Sequence, residues 1–209
     1  MNRSTRTRSE IQPDRRRPSE VARHVVLPAD IRTTGWPRVE AQARACGIEY
    51  DGWQRQLGRC ILGKTSDGVY AAGIGGVVVS ICRQVGKTFL IGTMIVMLCI
   101  LNEYPLKVLW TAHRTRTSDE TFKFMCALVR RKAISRFVDG EPRRANGQQE
   151  IVFVNSSRIM FGARENGFGR GFDSVDVEVF DEAQILTERA LDDMIPATNA
   201  APNPLIIYM

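Results

Sequence analysis

The chain has 209 residues, 44% of them apolar and 25% charged, a balance that excludes a collagenous, coiled-coil or wholly disordered chain and suits one globular domain with a tail. The net charge of +6 is unevenly placed: residues 1–38 hold nine Arg against four carboxylates, and the remainder is close to neutral. The basic character therefore belongs to an arm and does not by itself define a nucleic-acid surface.

Residues 1–38 are poor in apolar groups and rich in Arg, Ser, Thr and Pro, which predicts a flexible basic N-terminal arm. No apolar segment follows its arginines, and this reads against a secretory signal. From Val39 the apolar spacing turns helical through Cys46, with Gly47 as a stop, and a second short helix is expected over Trp53 to Ile61. Val69–Gly73 and Val77–Ile81 read as strands around Gly75-Gly76. A loop from Cys82 to Gly86 then leads into a long apolar helix reaching about Asn102. The apolar stretch Phe89 to Leu101 within it spans 13 residues, short of the ~20 that a membrane helix needs.

Lys107–Thr111 reads as the next buried strand, and Thr117 with Glu120 forms a capping box opening a helix to about Lys132. Ile151–Val154 and Ile159–Ala163 flank Asn155-Ser156-Ser157 as a hairpin. The glycine-rich segment Gly167–Gly171 precedes a strand Val175–Phe180, a helix is expected from Thr187, and Leu205–Met209 begins another strand. This order predicts a mostly parallel α/β sheet with helices on both faces, in which ligands bind at the carboxyl ends of strands. The five cysteines (Cys46, Cys60, Cys82, Cys99 and Cys126) are odd in number and lack a CxxC pairing, as expected of reduced thiols in an intracellular protein.

Two strand ends carry the chemistry. Ser80-Ile81-Cys82-Arg83-Gln84-Val85-Gly86-Lys87-Thr88 lies between a predicted strand and a predicted helix, the setting that makes a GKT tripeptide a phosphate loop. Backbone N–H groups of residues 83–88 would cradle phosphate oxygens, Lys87 would reach the β and γ phosphates of ATP, and the Thr88 hydroxyl would ligate Mg²⁺. The pattern departs from GxxxxGK[ST] at its first glycine, which here is Ile81. At the second end, Val177-Glu178-Val179-Phe180 delivers Asp181, a metal carboxylate, and Glu182, which would polarise the attacking water.

Upstream, Trp53-Gln54 offers a stacking ring and an amide able to pair with an adenine edge. Arg83 in the phosphate loop and Arg170 in Gly167-Phe168-Gly169-Arg170-Gly171 are both candidates for an arginine finger on the transferred phosphoryl group. His113, Arg114 and Arg116 follow the strand ending at Thr111, at a rim where a duplex backbone could pass.

The ordered set Trp53-Gln54, Cys82 to Thr88, Thr111 to Phe122, Gly169-Arg170-Gly171 and Val177 to Gln184 resembles the large terminase subunit of tailed bacteriophages, over about residues 48–209. That family has an arginine-bearing phosphate loop without the first glycine and a strand ending Asp-Glu-Ala-Gln. The resemblance implies a P-loop NTPase of the additional-strand, catalytic-Glu type over residues 39–209. It would be an ATP- and Mg²⁺-dependent motor that drives double-stranded DNA into procapsids. Gln54 would read adenine, and Lys87, Thr88, Asp181 and Glu182 would take the roles given above. Arg83 and Arg170 would share the sensing and finger roles in an order left open.

The family further implies a homo-oligomeric ring on the portal protein, a small terminase subunit as partner, and residence in the host cytoplasm with transient docking at the procapsid. Against the family pattern, residues 1–209 are expected to hold neither the Thr- or Ser-bearing coupling motif, which would follow Leu205–Met209, nor the nuclease domain. Two other readings suit the same motifs: a helicase-like nucleic-acid-dependent ATPase, and a truncated ATP-binding module without turnover.

Overall fold

Alternating side chains along the strands divide one sheet between two cores, and that division places the site. The protein was studied as a computed structural model, which describes residues 22–82, 84–145, 149–166, 168 and 171–209. Strands β1 (Thr33–Thr34) and β2 (Gly63–Lys64) form a small antiparallel pair around helices α1 (Trp36–Ala45) and α2 (Gly52–Ile61). The main sheet comprises β3 (Val77–Val78), β4 (Lys107–Ala112), β5 (Gln149–Val152), β6 (Arg158–Ala163), β7 (Val177–Phe180) and β8 (Leu205–Tyr208). Between them run α3 (Lys87–Leu101), α4 (Thr115–Val129), the single turn α5 (Lys132–Ser135) and α6 (Glu188–Met194).

The strand order is β3-β8-β7-β4-β6-β5, parallel throughout except for the β5–β6 hairpin. Val108, Trp110, Val177, Val179, Leu205 and Ile207 face one core, shared with α1, α3 and α4. Leu109, Phe180 and Ile206, one residue out of phase, face the other, covered by α6 and the 3₁₀ turn Ile195–Thr198. Helix α3 is apolar all round because it lies between the sheet and α1, with nine of its fifteen residues buried. The helices-on-both-faces architecture expected from sequence is therefore present.

Four expectations need correction. The fold begins before residue 38: Thr33–Thr34 pair with Gly63–Lys64, and α1 starts at Trp36, which is fully buried against Tyr50 with ring centroids 5.0 Å apart. Its Nε1 donates to Glu40 at 3.0 Å, so an aromatic and polar lock at the helix start precedes the apolar spacing of Val39, Ala43 and Cys46, which are buried as expected. Val69–Gly73 is no strand; Tyr70 makes a lone bridge to Lys64, and Gly73–Gly75 is a 3₁₀ turn. The Val77–Ile81 strand shrinks to two residues as the chain lifts off the sheet into the phosphate loop.

The capping box at Thr117 does not form, because α4 starts two residues earlier. The carboxylate of Glu165 accepts from the Thr115 N–H at 2.8 Å and so supplies the cap from a distant segment, while Glu120 pairs with Arg116.

Candidate active site

Gly86 ends the phosphate loop and caps α3 with φ of 99°, a left-handed conformation that favours glycine. A Cβ there would also stand 3.0 Å from Gln54 Nε2. Lys87 and Thr88 follow as the first two residues of α3, with the helix N-terminus behind them. On the other side, β7 ends at Phe180, and Asp181 and Glu182 turn over the sheet edge. The Asp181 N–H donates to the Thr111 carbonyl at 2.8 Å and the Ala183 N–H to Met209 at 3.0 Å.

Gln84, Lys87, Thr88, Asp181 and Glu182 line one cavity of about 1020 Å³, large enough for a nucleoside triphosphate. Thr117, Glu120, Thr121 and Phe124 of α4, with Tyr208 and Met209, also line it. The Asp181 carboxylate accepts the Glu182 N–H at 2.9 Å and the Thr121 hydroxyl at 3.5 Å. Burial pushes the Asp181 carboxyl upward, opposed by that N–H and by the positive field of Lys87. Glu182 sits at φ 54°, ψ 46°, and its Oε2 is buried without a partner among the described residues, so one acceptor remains open toward the cavity region. Sequence reading does not single out Thr121 as a site residue; its position nearly two turns into α4, opposite β7, makes it part of the site.

The remaining predicted residues divide into three groups. Gln54 is 4% exposed and does not line the cavity; its Oε1 accepts the Asp51 N–H at 2.9 Å and its Nε2 donates to the Gly86 carbonyl at 3.4 Å. The amide thus closes the capping box of α2 and braces the phosphate loop. Trp53 packs against the main core and also stays off the cavity wall, because α2 turns that face inward. Val85 points its side chain to solvent at 43% exposure, which leaves only its backbone available to phosphate. Arg83 and Arg170 lie outside the described residues.

Sequence reading missed Arg164, the first residue after β6. Its guanidinium reaches the Thr111 hydroxyl at 3.0 Å and the Asp181 carbonyl at 2.7 Å, beneath the Asp181–Glu182 turn. It also missed Glu178, fully buried in β7 with both carboxylate oxygens unpartnered among the described residues, whose pKa burial raises to about 7 against the opposing charge of Arg164.

The hard oxygens of Thr88 and Asp181 line the same cavity as Lys87, a donor set that fits Mg²⁺. Among the described residues no group of three His, Cys, Asp or Glu could hold an ion alone. A cation here would therefore draw most of its ligands from nucleotide phosphates and water.

No protein-family model matches the sequence, nor does any protein of curated function. Solved structures do match. The large terminase of bacteriophage HK97 aligns with a TM-score of 0.67 and 18% identity, over 84% of this chain and 37% of its own. The large terminase ATPase domain of Thermus phage P74-26 aligns at 0.60 and 14% identity, over 88% of this chain and 70% of its own. The large terminase of a thermophilic bacteriophage in complex with ADP aligns at 0.50 and 14%, over 64% and 33%. The chain has the P-loop NTPase fold of the phage large terminase ATPase domains, and it spans 37% of the HK97 protein's length.

Proposed function

We propose that this chain is the ATPase motor domain of a phage DNA-packaging terminase, coupling ATP hydrolysis to movement of double-stranded DNA into a procapsid. The observation that carries the reading is the convergence of Lys87-Thr88 at the head of α3 and Asp181-Glu182 at the end of β7 on one cavity. It occurs in the fold shared with large terminases, one of which is a complex with ATP-γ-S.

The chemistry follows from these groups. The α3 N-terminus and the loop N–H groups bind phosphate, and the Lys87 ammonium offsets charge on the β and γ oxygens. Thr88 and Asp181 would hold Mg²⁺, which when bound neutralises charge between the same phosphates. Glu182 orients a water toward the γ-phosphorus and accepts its proton as the water oxygen bonds and the β–γ bridging bond breaks. Arg83 and Arg170 supply further positive charge, one sensing the phosphate and the other reaching in from a neighbouring subunit. By the same reading the chain works as a ring on the portal protein, with a small terminase subunit, in the host cytoplasm.

Hydrolysis by the wild type, by Lys87→Ala and by Glu182→Gln tests the reading. Lys87→Ala should lose binding and turnover. Glu182→Gln should keep binding while kcat falls by about 10²–10⁴-fold. Unchanged turnover in Glu182→Gln would overturn the assignment. Stimulation of hydrolysis by procapsids with duplex DNA, and not by single strands, would then separate the packaging motor from a helicase.

A further inference from the structure

Arg164 stands where two halves of the sheet end meet. Its Nη1 donates to the Thr111 carbonyl at 2.9 Å and to the Thr111 hydroxyl at 3.0 Å; its Nη2 donates to the carbonyl of Asp181 at 2.7 Å and approaches that of Glu182 at 3.5 Å. The guanidinium carbon lies 5.8 Å from the centre of the Phe180 ring. Among the described residues none of its hydrogen bonds goes to a carboxylate, although Asp181, Glu182 and Glu178 all act on it through space. A half-buried cation is thus committed to Thr111 of β4 on one side and to the main-chain oxygens of the Asp181–Glu182 turn on the other, while its side chain stays off the cavity wall.

That turn is strained. Glu182 holds φ of 54°, a region that L side chains visit at a penalty and that persists only where neighbours over-determine it. One nitrogen of Arg164 spans the two carbonyls that flank the Glu182 α-carbon, so the guanidinium fixes both peptide planes that define this conformation. The fork suits this work because its donors diverge in a rigid plane, which the single ammonium of lysine cannot reproduce. The other nitrogen anchors the assembly to β4, the strand beside β7.

We propose that Arg164 is a positioning residue for hydrolysis: it clamps the Asp181–Glu182 turn to β4 and thereby holds the Glu182 carboxylate in its catalytic attitude. The inference rests on the ATPase reading above. Its distinctive feature is an action on Glu182 without contact to nucleotide.

The test is steady-state hydrolysis, ATP affinity and melting temperature for Arg164→Gln and Arg164→Lys, each alone and combined with Glu182→Gln. Loss of the clamp should lower kcat by about 100-fold, the scale of a 1 Å misplacement. KM for ATP should stay within twofold, and Arg164→Lys should recover little of the rate. In the Glu182→Gln background, Arg164→Gln should cause no further fall, since the group through which it acts is already gone. A comparable loss in both backgrounds, or a KM rise above tenfold, would overturn the proposal by showing an independent or nucleotide-contacting role. If Arg164→Gln does not fold, Arg164→Lys carries the test alone, and a kcat within twofold of wild type would overturn it. Failure of the ATPase reading is seen separately, as hydrolysis that survives Glu182→Gln in the presence of native Arg164.

Discussion

Gln54 and Gly86 are joined across the α2–phosphate loop boundary, the amide nitrogen of one donating to the carbonyl of the other at 3.4 Å. The same carbonyl accepts the Leu90 N–H at 3.0 Å as the first bond of α3. Gln54 thereby sets the attitude of the glycine from which Lys87 and Thr88 project. Gln54→Ala should raise KM for ATP and for GTP by the same factor, of order tenfold for about 1.4 kcal/mol of lost loop bracing. A change in the ATP-to-GTP ratio of kcat/KM would instead assign Gln54 the adenine-reading role.

Glu178 makes stability depend on pH. Its pKa is raised from 4.5 to about 7 by burial, so the folded chain binds this proton more tightly than the unfolded one. The benefit of the protonated form is fully present below the unfolded value and is lost as pH rises through 7, a difference of about 3 kcal/mol. Glu178→Gln should therefore exceed the wild type in urea midpoint at pH 8, and the gap should close toward pH 5. A constant gap across that range would contradict the buried, unpartnered carboxyl.

The boundary between arm and domain can be tested by truncation. Starting the chain at Val39 removes β1 and the buried Trp36, against which Gly58 packs so closely that a Cβ would come within 2.2 Å of the ring. The loss should be about 3–5 kcal/mol, as for a large aromatic deleted from a core. Gly58→Ala in the full chain should cost about 1–3 kcal/mol by overpacking. Denaturant melts of the two variants provide the check.

Cys82 borders the phosphate loop and is exposed, whereas Cys46, Cys99 and Cys126 are buried. Burial also pushes the Cys99 and Cys126 thiols up, away from the reactive thiolate. Alkylation of the native protein should mark Cys82 first, with ATP slowing it several-fold because Ile81 and Gln84 line the cavity on either side. Mass spectrometry of labelled peptides would read both effects.

Strand–loop–helix order, the GKT loop and the Asp-Glu strand end were legible because each is a local pattern with local physics. Apolar alternation locates β4, β6, β7 and β8 within two residues, and the long apolar run locates α3. What escaped was set by partners distant in sequence. Glu165 caps α4 from 50 residues away, displacing a local capping box that satisfied every sequence rule. Gln54 suits an adenine edge by residue type, and its brace on the Gly86 carbonyl, 32 residues away, is visible only in the fold. Arg164 belongs to no motif, and its role depends on three carbonyls that β4 and β7 bring together only through their pairing.

The two halves of the site are tethered unequally. Asp181 and Glu182 hang from β7, whose ladder is bonded on both sides, to β4 and to β8. The phosphate loop hangs from β3, which contributes two residues, bonds to β8 alone among the described strands, and leaves Val78 75% exposed. Amide exchange should therefore be slow through residues 177–180 and fast through 77–82, so that the apo protein breathes from its phosphate side. Nucleotide would then act as a clasp, drawing the looser wall onto the fixed one and raising the protection of β3 far more than that of β7.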